Sequence, residues 1–190
     1  MKRISKMVRR WGLIAAFLLF SGTFARGQNY SISTNAAEWL AIGTINVYGS
    51  MPVSRHISLR AGAAYNPFTF GNGENQKYFR HLEFSAGARY WPWFVNSGWY
   101  MSAYADWAKY AWGGILTHKA YEGYAWGAKL GGGYALMLDK GINLEVGTGV
   151  FLGINDYTKY SCPKCGRKEE KKEKFILAPA GLLLGISLVF

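Results

Sequence analysis

The chain has 190 residues, 50 % of them apolar and 17 % aromatic, and carries a formal net charge of +11. No stretch reaches the roughly 18 consecutive apolar residues of a membrane-spanning helix, which argues against a helical membrane protein. Six of the 22 basic residues and none of the 11 acidic residues lie in residues 1–27, so the remainder has a net charge of +5. This modest charge removes most of the support for a nucleic-acid partner.

The first 27 residues have the pattern of a cleaved export signal. Residues 11–24 are apolar or small, and this run is too short to span a bilayer. Ala25 and Gly27 place small residues at the minus-three and minus-one positions of a cleavage site. The apolar run follows a basic region made of Lys2, Arg3, Lys6, Arg9 and Arg10. We therefore predict a signal peptide over residues 1–27 and one domain over residues 28–190.

Alternating hydropathy predicts eight strands in that domain. On the fourth strand, for example, Leu82 and Phe84 share one face, whereas Glu83 and Arg89 share the other. The eight strands cover residues 31–37, 44–51, 57–66, 79–91, 99–109, 124–136, 142–154 and 180–190. Strands rich in glycine and aromatic residues are typical of outer-membrane barrels. We predict an all-β fold, an eight-stranded antiparallel up-and-down transmembrane β-barrel. The alternative is a soluble β-sandwich, against which the continuous apolar outer faces argue.

The last strand gives the strongest indication of location. Six residues share its apolar face: Ala180, Leu182, Leu184, Ile186, Leu188 and the terminal Phe190. An alternating strand that ends on a phenylalanine resembles the C-terminal assembly signal of bacterial outer-membrane barrels. The resemblance implies recognition by the barrel assembly machinery and a location in the bacterial outer membrane, in contact with its lipid.

Connection lengths predict the orientation of the barrel. The connections near Pro52, Pro92 and Asp139 are short, whereas residues 67–78, 110–123 and 155–174 form long connections. Outer-membrane barrels have short periplasmic turns and longer extracellular loops. We therefore expect both termini in the periplasm and three long loops outside the cell. The connection over residues 38–43 fits neither class.

Six charged residues are predicted to face the interior of the barrel. An eight-stranded barrel is only wide enough for its interior to be filled by side chains, and unpaired charge there would be costly. The set is balanced in sign: Arg60, Arg89, Lys129, Glu83, Asp106 and Glu145. We interpret it as an ion-pair network that fills the barrel. The alternative is a narrow polar pore.

Cys162 and Cys165 form the most conspicuous short motif, a C-x-x-C pair with proline between the cysteines and glycine after them. In an exported chain the pair is consistent with a local disulfide. It also looks like half of a zinc site, which normally has four ligands, and His118 is a candidate third ligand. Free thiols are the third possibility. The mixed-charge run over residues 167–174 is interpreted as a solvated extension of the same loop, and no other cofactor is expected.

One strand face carries residue types that catalysis uses. His81, Glu83 and Ser85 alternate on the fourth strand and could supply a base and a nucleophile, since some small outer-membrane barrels act on lipids. Side chains two residues apart on a strand lie nearly 7 Å apart, however, and these point inward, away from a lipid substrate. The sequence therefore predicts no enzyme, and no catalytic residue is assigned.

Several motifs together resemble the domain of unknown function 3575 family, uncharacterised barrel proteins common in Bacteroidetes. The motifs are S-T-N-A-A-E-W at residues 33–39, A-A-Y-N-P-F-T-F at 63–70, A-R-Y-W at 88–91, Y-E-G-Y-A-W-G-A at 121–128, I-N-L-E at 142–145 and Y-S-C-P-K-C-G at 160–166. The resemblance covers nearly all of residues 28–190. It implies an outer-membrane barrel similar to small OmpA-type barrels and a surface or fimbrial protein partner, and it implies no activity.

The expected function is that of a non-enzymatic outer-membrane protein, either structural or binding a surface partner through its long loops. A small channel through the charged interior is the alternative, and a lipid-modifying enzyme is the second alternative.

The state of the cysteine pair can be measured directly on the folded, purified protein. Metal content and thiol state are compared with those of Cys162→Ser. One bound zinc that is lost in the variant would make the loop a metal-ordered docking element. A closed disulfide without metal would make the pair a loop staple and leave a structural barrel as the best remaining account.

Overall fold

The computed structural model describes residues 30–71, 76–114, 119–162 and 168–190. The predicted signal peptide, residues 1–27, lies outside the described residues. The described elements in chain order are β1 (Ser31–Asn35), α1 (Ala36–Ile42), β2 (Ile45–Pro52), β3 (Ile57–Asn66), β4 (Thr69–Phe70), β5 (Lys77–Tyr90), β6 (Gly98–Gly113), β7 (Ala120–Asp139), β8 (Ile142–Tyr160) and β9 (Lys168–Val189).

The strands form one antiparallel up-and-down sheet that closes in a ring. Its order is β3-β2-β1-β9-β8-β7-β6-β5-β4, and a further pairing between β3 and β5 closes it. The two-residue strand β4 pairs only with Lys77 and Tyr78 at the start of β5, so the other eight strands build the ring among the described residues. The predicted all-β, antiparallel, up-and-down architecture is confirmed.

Alternation determines which side chains enter the ring. On β8, Asn143 and Glu145 are buried inside, whereas Ile142 and Val146 are exposed outside. The described residues include fourteen buried polar or charged side chains and eight buried apolar ones. The interior is therefore more polar than the core of a water-soluble domain, and the large apolar side chains lie mostly on the outer face.

Both ends of the described chain lie where the tight turns lie. The Phe190 N–H donates to the Tyr30 carbonyl at 2.9 Å, and β1 pairs with β9 from Ser31↔Val189 to Asn35↔Gly185. The turns β2–β3, β5–β6 and β7–β8 are at the same end because the strands alternate in direction. We call this the turn end of the ring and the other the loop end.

The first connection is a helix, where the sequence suggested the end of a strand and an ambiguous loop. Asn35 caps helix α1 by accepting a hydrogen bond from the Ala37 N–H at 3.2 Å. Gly43 ends the helix at φ +68°, and its N–H donates to the Trp39 carbonyl. The predicted strand over residues 31–37 was therefore wrong at its end. Among the described residues, no helix is long and apolar enough to cross a membrane.

Strands β6 to β9 are longer than predicted. Much of the predicted loops over residues 110–123 and 155–174 is strand. Strand β6 continues to Gly113 and β7 begins at Ala120, while β8 continues to Tyr160 and β9 begins at Lys168. Within those two predicted loops the strand residues are mainly polar, charged or aromatic rather than aliphatic, so alternating hydropathy does not mark them. Cross-strand side-chain contacts stabilise these extensions, such as the stacked rings of Trp112 and Tyr121, whose centres lie 4.5 Å apart.

A bulge interrupts the last strand. The register shifts where Thr148 is opposite Leu182 but Val150 is opposite Pro179, and Gly181 has φ +88°. An extra residue reverses the alternation beyond it, so Pro179 is exposed on the outer face and Ala180 is not. The prediction that Ala180 continues the apolar face of Leu182 was therefore wrong.

The β5–β6 contact predicts a steric test. A Cβ atom at Gly87 would overlap the Ala103 carbonyl oxygen and lie 2.6 Å from Tyr104 Cα. We expect Gly87→Ala to lower the free energy of unfolding by about 1–3 kcal/mol, because backbone must shift to admit the methyl group. Urea unfolding of the protein refolded in detergent micelles measures this.

Gly49 supplies the matched control, since a Cβ atom there meets nothing within 4 Å. Gly49→Ala should leave the unfolding midpoint nearly unchanged. Equal midpoints for the two variants would contradict the packing of β5 against β6.

Candidate functional site

The six predicted interior charges lie on five strands, and the structure brings all six together inside the ring. They form two clusters of three. The lower cluster, nearer the turn end, contains Arg60, Arg89 and Glu145, and the upper cluster contains Glu83, Asp106 and Lys129. The lower cluster has a formal charge of +1 and the upper cluster −1, so together they are neutral.

Glu145 is the centre of the lower cluster. Its Oε2 atom lies 2.9 Å from Arg89 Nη1 and 3.6 Å from Arg60 Nη1. None of the three side chains is more than 6 % exposed. Since β8 is not adjacent to β3 or β5, these contacts join opposite walls of the ring rather than neighbouring strands.

Aromatic side chains complete the lower cluster. Arg89 Nε donates to the Tyr104 hydroxyl at 2.6 Å, and its guanidinium carbon lies 4.4 Å from the Tyr100 ring centre. The Arg60 guanidinium lies over the Tyr48 ring at 4.3 Å. Both cations thus have a carboxylate and a π face as partners, which compensates their removal from water.

Lys129 is the centre of the upper cluster. Its Nζ lies 2.5 Å from Glu83 Oε1 and 3.1 Å from Asp106 Oδ1. Asp106 is buried, while Lys129 and Glu83 are each about one-fifth exposed. The upper cluster is therefore less enclosed than the lower one.

Sequence reasoning missed the helix that borders this interior. A cavity of about 110 Å³ lies against both clusters, and Asn35 and Glu38 line it. Asn35 Nδ2 donates to Glu38 Oε1 at 2.9 Å and to the Leu182 carbonyl at 3.2 Å. The Leu184 N–H donates back to Asn35 Oδ1 at 2.9 Å. The signal was present, because asparagine followed three residues later by glutamate is a helix-start pattern.

Inner glycines make room for aromatic rings. A Cβ atom at Gly62 would overlap the Tyr48 ring, and one at Gly133 or Gly147 would meet the Tyr100 hydroxyl within 2.9 Å. Tyr48 and Tyr100 are the same rings on which Arg60 and Arg89 lie. The glycines opposite thus position the rings that support the charges.

The structure does not assemble a catalytic group from His81, Glu83 and Ser85. No hydrogen bond between any two of these residues occurs in the described part of the chain. His81 lies edge-on to the Phe79 ring, with ring centres 5.2 Å apart, and Glu83 belongs to the upper cluster. Ser85 lines the interior cavity.

Of the predicted metal or disulfide pair, Cys162 takes part in a disulfide bond. Cys165 and the candidate ligand His118 lie outside the described residues. Within the described ranges, no group of three or more His, Cys, Asp or Glu side chains is arranged to hold a metal ion.

Ion pairs join the strand ends next to Cys162. Glu169 on β9 lies 3.4 Å from Lys119 and 3.5 Å from Lys159. Desolvation acts to raise the pKa of Glu169, but hydrogen bonds from Ser161, Lys119 and Lys159 outweigh it, so its pKa lies below the ordinary value. These pairs align the loop-end extensions of β7, β8 and β9 as one wall.

The outer face carries two groups of contacting aromatic rings. Near the turn end, the Trp99 and Tyr134 rings lie 5.1 Å apart. Toward the loop end, the Trp107 ring lies 6.0 Å from both Phe84 and Tyr124. We call these the lower and upper aromatic belts. Between them the outward residues of β5 to β7 are largely alanine, with Met101 and Leu130.

Comparison with known proteins identifies a family. A family model described as "Protein of unknown function (DUF3575)" matches residues 13–190. No curated protein and no solved structure matches the chain.

The lower cluster predicts a large effect of removing its single carboxylate. Glu145→Gln keeps the shape of the side chain but leaves Arg60 and Arg89 buried without an anion. We expect the free energy of unfolding to fall by about 3–5 kcal/mol, because uncompensated buried charge is strongly destabilising. Urea unfolding in detergent micelles measures the loss.

Glu169→Gln is the matched control, since it removes the same charge from a carboxylate that pairs at the surface of the wall. Its unfolding midpoint should equal that of the unmodified protein. A midpoint for Glu145→Gln equally close to the unmodified value would show that the lower cluster does not hold the ring together.

Proposed function

The chain belongs to the DUF3575 family, and we propose that it is a non-enzymatic outer-membrane β-barrel that presents an extended wall of strands to a partner at the cell surface. The family description names no activity, so the proposal stands on geometry. In this arrangement the turn end and both termini are periplasmic, and the loop end is extracellular. The proposal includes a cleaved signal peptide over residues 1–27.

The outer face between the two aromatic belts carries the proposal. Trp99 and Trp107 are eight residues apart on β6, which is about 27 Å along a strand at 3.4 Å per residue. With the strands tilted by about 40°, the belts are about 21 Å apart along the barrel axis, near the ~25 Å apolar band of outer-membrane barrels. Aromatic belts at both edges of such a band match the two interfaces of a bilayer.

The polar interior supports the same location. In the hydrocarbon of a membrane every backbone N–H and C=O group needs a hydrogen-bond partner within the protein, and a closed ring of paired strands provides one. Apolar side chains outside and ion pairs inside reverse the usual distribution of a soluble protein, and a bilayer makes that distribution favourable.

The asymmetry of the ring supports a docking role. Strand β7 continues six residues beyond Trp126, to Ala120, and β8 continues six beyond Ile154, to Tyr160. Strands β2 and β3 have no such extension. The wall thus extends about 20 Å along the strands past the upper belt, which is about 16 Å along the barrel axis at the same tilt, and it does so on one side only.

The inner face of the wall and of the neighbouring end of β6 carries suitable anchor residues. The rings of Trp112, Tyr121 and Tyr157 form a cross-strand ladder with centres 4.5 and 6.0 Å apart, and all three are partly exposed. Tryptophan and tyrosine contribute strongly to protein interfaces. A surface or fimbrial protein is the partner class we propose for this ladder.

A channel is the second candidate, and the polar interior is the observation that favours it. The cross-ring contacts of Glu145 with Arg60 and Arg89 oppose it, because they occupy the space that a conducting path needs. A lipid-modifying enzyme has less support, since no hydrogen-bonded catalytic group occurs among the described residues.

Labelling of intact cells tests location and orientation together. A membrane-impermeant amine reagent should modify the loop-end lysines of β9 and spare Lys140 at the turn end, because only the former face the medium. The β9 lysines are Lys168, Lys171, Lys172 and Lys174. Mass spectrometry of tryptic peptides identifies the modified sites.

Permeabilised cells serve as the control, in which Lys140 should also be modified. Modification of Lys140 in intact cells, or absence of the chain from the outer-membrane fraction, would contradict the proposal. Stepwise conductance of the purified protein in a planar bilayer would favour the channel instead.

A further inference from the structure

A groove of about 730 Å³ lies beside the upper aromatic belt, lined mainly by outward-facing residues. Residues directly opposite one another across neighbouring strands form a rung. Leu82, Lys109 and Tyr124 form one rung in this groove. The adjacent rung toward the turn end contains Phe84 and Trp107 of the upper belt. The outer face therefore changes from aromatic to charged within one rung.

Two cations dominate the chemistry of this groove. Arg80 and Lys109 are exposed on adjacent strands, and Arg80 is opposite Ala111, two residues beyond Lys109. Such diagonal neighbours lie about 7–8 Å apart, so one anion can contact both. Within the described parts of the chain, neither has a carboxylate within 4.0 Å. Each cation instead lies over a tyrosine ring: Arg80 is 4.9 Å from the centre of the Tyr78 ring, and Lys109 is 5.5 Å from that of Tyr124.

The carboxylates of the groove have partners of their own. Asp156 Oδ2 lies 3.3 Å from Lys171 Nζ, and Glu122 Oε2 accepts a hydrogen bond from the Tyr160 hydroxyl at 3.4 Å. Counting all five charged residues, the groove has a net charge of +1, and Arg80 and Lys109 lie on β5 and β6, the strands that carry Phe84 and Trp107 of the upper belt.

We infer that this groove binds the phosphorylated headgroup of a glycolipid in the outer leaflet of the membrane, an inference that rests on the proposed location. The upper belt lies where acyl chains meet headgroups, so Arg80 and Lys109 lie at headgroup depth. In this arrangement a phosphate of the headgroup contacts both cations, and the hydroxyls of Tyr160 and Thr158 in the groove form hydrogen bonds with the sugar. The acyl chains lie along the alanine-rich surface below the belt.

The test measures lipid binding to the full chain folded in non-ionic detergent micelles. A phosphorylated glycolipid is titrated, and the bound population is counted by native mass spectrometry. Arg80→Gln/Lys109→Gln should bind about thirty-fold more weakly than the unmodified protein, because each basic residue near a charged headgroup contributes about five- to sixfold and the two factors multiply. The same glycolipid with its phosphates removed should bind both proteins equally and weakly.

Arg55→Gln/Lys140→Gln is the matched control, since it removes two exposed cations from the turn end. It should retain full affinity. The inference is overturned if the groove variant retains its affinity, if the control loses as much, or if the dephosphorylated glycolipid binds the unmodified protein as tightly. Inorganic phosphate that displaces the glycolipid at an equal concentration would identify a free-phosphate site instead and would also overturn it.

Membrane insertion separates this inference from the proposed function. The heat-dependent shift in gel mobility of a folded barrel and the labelling pattern of intact cells report location alone. A chain that passes both but shows no preference for the phosphorylated glycolipid refutes the groove and leaves the barrel. A chain that fails both refutes the two together.

Discussion

The contact of Glu145 with two buried guanidinium groups is the interaction on which the interior depends. Arg60 and Arg89 lie on the adjacent strands β3 and β5, whereas Glu145 lies on β8 across the ring, so the cluster joins opposite walls. Removing one member of the cluster costs more free energy of folding than the complete cluster contributes. A complete cluster compensates the loss of hydration, whereas an incomplete one leaves charge where water cannot reach it. The ring therefore favours one arrangement of its walls, the one in which all three groups meet.

The same constraint explains the composition of the inner face. Long charged side chains and tyrosine rings fill the centre of the ring, so the positions opposite them must be small. Gly62 faces Tyr48, and Gly133 and Gly147 face Tyr100. The apolar surface that a soluble protein keeps inside lies outside here, and the stability of the fold is tied to the medium that covers it. The charge pairs inside and the apolar surface outside are thus two sides of the same arrangement of strands.

Much of the architecture could be predicted from the sequence because a strand in a ring has only two faces. A period of two determines which residues face inward, so the six interior charges follow from alternation alone. Their partners do not follow, since the contact between Arg60 and Glu145 depends on how far each strand slides past its neighbours. Alternation gives no information on how strands that are not adjacent are aligned with each other.

The errors have separate physical causes. Helix α1 was missed because its seven residues are too few for a helical period to be seen, although Asn35 and Glu38 have the spacing of a helix start. The loop-end extensions of β7 and β8, and of β9 up to Lys174, were missed because they consist mainly of polar, charged and aromatic residues, which show no alternation of aliphatic side chains. The bulge at Gly181 was missed because one inserted residue leaves no trace in composition. The groove beside the upper belt needed the register that places Arg80 and Lys109 together.

The seam between β1 and β9 has a consequence for how the chain folds. It contains five residue pairs, and it joins Ser31 to Val189 across almost the whole described chain. Closing so long a loop carries the largest entropic penalty of any pairing in the ring, whereas every other long strand pairs with a neighbour in sequence. Closure should therefore be the last and slowest step. Until the ring closes, β1 and β9 are unpaired edge strands that can pair with other chains. A chaperone or assembly factor that shields these two edges would act at this stage.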